Sequence, residues 1–140
     1  MVMHDKKTRD IMICVYIRNM NDALLDDPFP TPFTDEVLES IRGQELHSFT
    51  NGFLGYQQIT IAMEDRHETN FATEGGCYQY MVMPFSLKNA PLVLFRVIVS
   101  FFKESIHKFL EIYYDDWTVF GLQRGHVENL RLMLDICHQH

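Results

Sequence analysis

The chain reads as an α+β domain whose antiparallel sheet is covered by helices on one face. Two observations predict this. The elements run strand, helix, strand, strands, long helix, hairpin, helix, so neighbouring strands can pair without parallel crossovers. The 140 residues are 46% hydrophobic and 22% charged, which suits one globular domain with a modest core. An aromatic share of 13% further favours packed sheets.

The elements follow in order. "RDIMICVYI" (Arg9 to Ile17) is rich in β-formers and predicts a mostly buried strand. "DDPFPTPF" (Asp26 to Phe33) has proline at every second position, which forces an extended connector. Thr34 has the character of an N-cap, with Asp35 and Glu36 in the first turn of a short helix that Gly43 closes. "LHSFT" (Leu46 to Thr50) is a strand running into Asn51-Gly52. "GYQQITIAM" fits a helical turn or a strand equally, and "EDRHET" is polar and turn-like. "NFAT" and "YQYMVMPF" predict two strands joined at Gly75-Gly76. From Leu87 to about Phe109 apolar residues recur at helical spacing (Leu92, Phe95, Val99, Phe102), predicting a long helix that begins near Asn89-Ala90-Pro91. "FLEIYY" and "WTVFG" form a hairpin across Asp115-Asp116. "HVENLRLMLDICHQH" closes the chain as an amphipathic helix, with Leu130, Met133, Leu134 and Cys137 on its core stripe.

Composition narrows the function classes. No apolar run approaches the ~20 residues of a membrane span, so no membrane partner is expected. "MVMHDKKTRD" lacks the apolar core of a secretion signal. Cys14, Cys77 and Cys137 are odd in number and far apart, which fits free thiols in a reducing compartment. The expectation is an intracellular, cytoplasmic protein. The formal net charge of −7 argues against a broad nucleic-acid-binding face, although Lys6, Lys7, Arg9 and Arg18 make the N-terminal end locally basic.

Asp115-Asp116 carries the strongest chemical signal. Aspartates favour turns, and two apolar runs make a hairpin without further purpose. Yet adjacent carboxylates beside Tyr113, Tyr114 and Trp117 repel each other and lose water unless a cation compensates. Mg²⁺, which takes oxygen ligands, is the usual remedy. Cys137-His138-Gln139-His140 lacks the second cluster a zinc site needs and reads as a helix end. His67 (turn) and His107 (long helix) show no partner for triad chemistry.

Around the acidic pair, six blocks occur in the order found in one family. "YYDD" (113–116) resembles the Tyr-x-Asp-Asp of reverse transcriptases. "CVYIRNMN", "DPFPTPFTDEVLE", "SFTNGFLGYQQI", "EDRHETNFAT" and "VMPFSLKNAP" resemble the blocks before it. The resemblance covers essentially the whole chain and points to gypsy-type long-terminal-repeat retrotransposons, most like those of plant genomes. It implies a polymerase palm with fingers: about 1–45 and 57–88 fingers-like, 46–56 and 89–140 palm-like. It implies a chain truncated before thumb and RNase H segments.

The resemblance also implies roles. Two Mg²⁺ ions ~4 Å apart are held by three carboxylates in such a palm. Asp115 and Asp116 match two of these metal ligands, and Asn51 stands where the third belongs. Tyr56 matches an aromatic gate that favours deoxynucleotides. Lys6 or Lys7 matches residues that grip the triphosphate. Phe85 and Ser86 match the loop beneath the incoming base pair, although the family has glycine at the latter. Met12, Tyr16 and Leu54 depart from the pattern as well. The implied partners are primer–template nucleic acid and deoxynucleotides.

An amide at position 51 brings no charge and bridges two cations badly. Loss of one preorganised group at a reaction centre costs ~10²–10³ in rate, so impaired RNA-directed DNA polymerisation is expected. Asn51-Gly52 is also a pair prone to deamidation, which would regenerate an acid. The alternatives are a non-catalytic remnant that binds nucleic acid or protein, and a chain that no longer folds stably.

Overall fold

The computed structural model describes residues 2–5, 11–14, 17–52 and 55–139, with the backbone alone for 2–5 and 11–14. Contacts divide the chain into two compact units, Met1–Asp27 with Leu54–Ala90, and Pro28–Phe53 with Pro91–His140.

In the first unit, β1 (Val2–Asp5) pairs antiparallel with β2 (Ile11–Cys14). The strand expected from Arg9 to Ile17 is therefore shorter; Arg9, Asp10, Val15 and Tyr16 lie outside the described residues. A helix that the sequence did not announce follows, α1 (Arg18–Ala23). Its support is tertiary. Asn21 Nδ2 donates to the Ser86 carbonyl at 2.8 Å, and Asn21 Oδ1 accepts from the Lys88 backbone N–H at 2.9 Å. Lys88 also pairs with Asp26 at 2.6 Å, and Asn89 Nδ2 donates to the Leu25 carbonyl at 2.8 Å.

The ambiguous "GYQQITIAM" turns out to be both things. Gly55–Gln58 is a 3-10 turn, and the residues after it extend. Ile61 N–H donates to the Met81 carbonyl and Met83 N–H to that of Ile59, around an antiparallel bridge of Thr60 with Val82. "EDRHET" ends in a second 3-10 turn, Arg66–Thr69. Buried Thr69 donates to the Arg66 carbonyl at 2.7 Å and accepts from Tyr80 N–H at 2.9 Å. β4 (Phe71–Thr73) and β5 (Gly76–Tyr78) form a hairpin near the expected turn, but β5 begins at Gly76 and shares only Tyr78 with the strand expected from Tyr78 to Phe85. Phe71 packs on Tyr78 and Tyr80, with ring centroids 5.9 and 5.3 Å away.

In the second unit, the proline-rich connector runs extended into α2 (Thr34–Ile41). Thr34 is the first helical residue rather than the cap: Phe33 takes the cap position, without a side-chain cap bond. Asp35 and Glu36 occupy the first turn as expected, and Gly43 stands past the end at φ +80°, the left-handed geometry that ends helices. β3 (Leu46–Asn51), β6 (Leu110–Tyr113) and β7 (Asp116–Gly121) form an antiparallel sheet of order β3-β7-β6.

α3 (Ala90–Phe102) keeps the expected start and stripe but stops seven residues before Phe109. The chain has to reverse into β6. It does so by tight turns in which Ser105 and Ile106 N–H donate to the Phe102 carbonyl and His107 takes φ +64°. Local spacing cannot foresee that reversal. Leu110 and Val119, partners across β6 and β7, are 0% exposed, and Phe102 is 2% exposed with its ring 5.3 Å from that of Trp117. Phe29 of the connector meets Phe95 edge-on at 5.9 Å and lies under the Arg96 guanidinium.

α4 (His126–Gln139) packs on β7. Of its expected core stripe Met133 is buried, whereas Leu134 and Cys137 are exposed. Among the described residues no helix is long and apolar enough to cross a membrane.

Candidate active site at an acidic hairpin

β6 and β7 are joined by two residues, Tyr114 and Asp115. Such short hairpins need a positive φ at the first turn position, where glycine is the easy choice. Here Tyr114 adopts φ +55°. That conformation costs an L-residue roughly 1–2 kcal/mol. Ring contacts offset it: Tyr114 lies 5.8 Å from Phe95 and 5.1 Å, nearly perpendicular, from Tyr113. The apolar runs on either side thus hold a strained turn that projects Asp115 and Asp116.

β3 brings the third residue. In the β3–β7 register Asn51 is the direct partner of Asp116, 65 positions away in sequence. Gly52 N–H donates to the Asp115 carbonyl at 2.7 Å, so the strand end is tied to the turn. Asn51 Nδ2 donates to Asp116 Oδ1 at 2.9 Å and reaches Asp115 Oδ2 at 3.4 Å. Ionised carboxylates only accept hydrogen bonds, so the amide must face them with its NH₂ end. Among the described residues neither aspartate has an ion pair.

A divalent cation asks for oxygen ligands and negative charge. Two carboxylates meet that need; the third group presents N–H bonds instead. To offer its oxygen, Asn51 would have to rotate and give up both hydrogen bonds, and it would still add no charge. The residues present therefore do not fit a two-cation clamp.

Residues 4–140 match the family profile described as "Reverse transcriptase (RNA-dependent DNA polymerase)". This chain belongs to the reverse transcriptase family. The enzymatic polyprotein of Cauliflower mosaic virus (strain CM-1841) is 31% identical over 137 residues, covering 97% of this chain and 20% of the polyprotein. The Pol polyprotein of the Drosophila melanogaster transposon gypsy is 28% identical over 137 residues, covering 93% and 13%. The chain spans about a fifth of the length of the viral polyproteins it matches.

Among solved structures, native Prototype Foamy Virus protease–reverse transcriptase superposes with a TM-score of 0.85 at 20% identity, over 98% of this chain and 18% of that one. A foamy viral protease–reverse transcriptase in complex with an RNA/DNA hybrid gives 0.79 at 17% identity, over 96% and 18%. These establish the reverse transcriptase fold. Reverse transcriptases are nucleotidyltransferases that generally use divalent metals.

The remaining expected site residues fall as follows. Tyr56 and Phe85 meet edge-on, with centroids 5.3 Å apart and planes at 86°. Phe85 is exposed, and the carbonyl of Ser86 is taken by Asn21. These three belong to the first unit, whereas Asn51, Asp115 and Asp116 belong to the second. Lys6, Lys7, Tyr16 and Leu54 lie outside the described residues, as does the side chain of Met12.

Two histidine pairs escaped the sequence reading. His107 is not in the long helix, and it does have a partner: its Nδ1 meets Glu111 Oε1 at 2.8 Å, and the Glu111 side chain is 3% exposed. The signal was there, a lone glutamate inside the apolar "FLEIYY". His126 Nε2 meets Ser48 Oγ at 2.8 Å, but among the described residues buried His126 Nδ1 has no hydrogen-bond partner, so none of their carboxylates orients the ring for nucleophilic chemistry. Burial pushes the Cys137 thiol up from its ordinary value, and the thiol donates to Met133 Sδ at 3.9 Å.

Proposed function

We propose that this chain is the fingers–palm segment of a gypsy-type RNA-directed DNA polymerase in which Asn51 has disabled nucleotidyl transfer. We assign the second unit as palm-like and the first as fingers-like, which moves 28–45 into the palm-like part and 54–56 and 89–90 into the fingers-like part. Asp115 and Asp116 are the two retained acids. Tyr56, Phe85 and Ser86, with Lys6 and Lys7, are the candidate contacts for an incoming deoxynucleotide. The foamy viral relative held with an RNA/DNA hybrid supports a primer–template as the partner. Mg²⁺ is the cation we assign to the ancestral site, and residue 51 must be acidic before Asp115 and Asp116 become a clamp for it.

One observation carries this reading: Asn51 faces Asp115 and Asp116 across the β3–β7 ladder, and we read its position as that of a third acid. The test is primer extension on an RNA template by the chain as it stands, beside Asn51→Asp. The expected result is a gain of ~10²–10³ in rate for Asn51→Asp. Equal extension by both chains would overturn the impairment, and extension that survives Asp115→Ala in the Asn51→Asp background would overturn the site. The same amide favours a second reading, a non-catalytic remnant that still binds nucleic acid. Salt-dependent primer–template binding unchanged by Asp115→Ala, with no extension by Asn51→Asp, would select it.

A further inference from the structure

An acidic cluster that has lost its cation ought to repel itself apart. This one is closed. The Asn51 NH₂ group reaches an oxygen of each aspartate, at 2.9 Å for Asp116 and 3.4 Å for Asp115. We infer that the Asn51 carboxamide stands in for the cation: its NH₂ end holds the two carboxylates together, so the hairpin is complete without a divalent ion and has stopped responding to one. The inference rests on reading the turn as a former cation site, and it concerns folding and ion binding rather than polymerisation.

The charge balance supports it. With asparagine, the three side chains carry two negative charges and a donor directed at both. With aspartate, they would carry three charges and no donor, and only an external cation could relieve the repulsion. The backbone tie from Gly52 N–H to the Asp115 carbonyl is common to both cases, so the side chain at 51 decides the difference. The Gly52 nitrogen would also have to attack the Asn51 side-chain carbonyl for deamidation to begin. Its hydrogen bond and the clasped amide oppose that reaction in the folded chain, which keeps the surrogate in place.

The experiment uses the chain as it stands and Asn51→Asp, with intact mass and peptide mapping to verify that residue 51 is unchanged in each preparation. Urea unfolding is followed in EDTA and in Mg²⁺ or Mn²⁺. Tb³⁺ luminescence is excited through Trp117, the chain's single tryptophan and the neighbour of Asp116. The asparagine chain should unfold at the same midpoint in EDTA and Mg²⁺. Asn51→Asp should be less stable in EDTA, or unfolded, and regain its midpoint with Mg²⁺ or Mn²⁺. Its half-saturation for Tb³⁺ should be at least about tenfold lower than that of the asparagine chain, and lost on adding Asp115→Asn with Asp116→Asn.

If the asparagine chain is itself stabilised by Mg²⁺, or binds Tb³⁺ through Asp115 and Asp116 as well as the variant does, the inference is overturned. That titration decides the matter even if Asn51→Asp folds under no condition. A cation-responsive Asn51→Asp chain that extends no primer would leave the surrogate standing and remove the proposed polymerase impairment by the amide alone. Two cation-insensitive chains would remove the surrogate and leave the extension assay to judge the polymerase reading.

Discussion

The two ends of the β3-β7-β6 sheet are built by different physics. At one end Leu110 and Val119 face each other fully buried, and Phe120 and Glu111 are buried nearby. At the other end Asn51 and Asp116 face each other exposed, beside a turn that puts a tyrosine at positive φ. The packed end is held by apolar area and close contact, which many residues share. The turn end is held by two side-chain hydrogen bonds, one backbone tie and the strain they balance. A substitution at the packed end should therefore appear as lost stability whatever ions are present, and one at Asn51 as a stability that depends on the cation supplied.

Three sets of substitutions would break or sharpen that contrast. The largest effect is expected for Leu110→Ala, which should lower unfolding free energy by ~2–5 kcal/mol. Urea unfolding should show the shift at an unchanged m-value, and the cation response of the turn should stay as it is. A loss below that range would mean the packed end is looser than its burial implies.

His107→Ala comes next. It leaves the buried Glu111 carboxylate without its partner, at a cost of ~1–3 kcal/mol. Adding Glu111→Leu removes the stranded acceptor as well and should recover most of the loss, because exchanging both partners for apolar groups is nearly neutral. If the double variant is no better than the single one, the pair is not what the packed end relies on.

The smallest effect is expected at Tyr114. Tyr114→Gly relieves the positive φ but loses the ring contacts with Phe95 and Tyr113, so the two nearly cancel. Tyr114→Ala loses the rings and keeps the strain, and should be less stable than Tyr114→Gly by ~1–2 kcal/mol. Equal midpoints for the two in thermal unfolding would show that the turn is not strained.

How much could be read beforehand follows the same division. α2, β3, the β6–β7 hairpin and α4 were legible because each carries its own local signal: acids in the first turn and a closing glycine, β-rich runs ending at Asn-Gly and Asp-Asp, or apolar residues at helical spacing. α1 was not, since Asn21 fixes it through Ser86 and Lys88, more than sixty residues on. Nor was the end of α3, where the apolar stripe could continue but the chain must turn back to lay Leu110 against Val119. The acids of the site were legible as Asp115-Asp116, and position 51 was reached by family resemblance. The His107–Glu111 pair was missed because its geometry depends on that same reversal.

The sequence by itself determined the family, most of the strand and helix types, and the presence of an amide at position 51, since these are properties of residues and their order. Only the tertiary structure decided that this amide turns its NH₂ end onto both aspartates. That choice belongs to the β3–β7 register, which sets Asn51 opposite Asp116 and leaves a donor as the one electrically acceptable neighbour for two carboxylates.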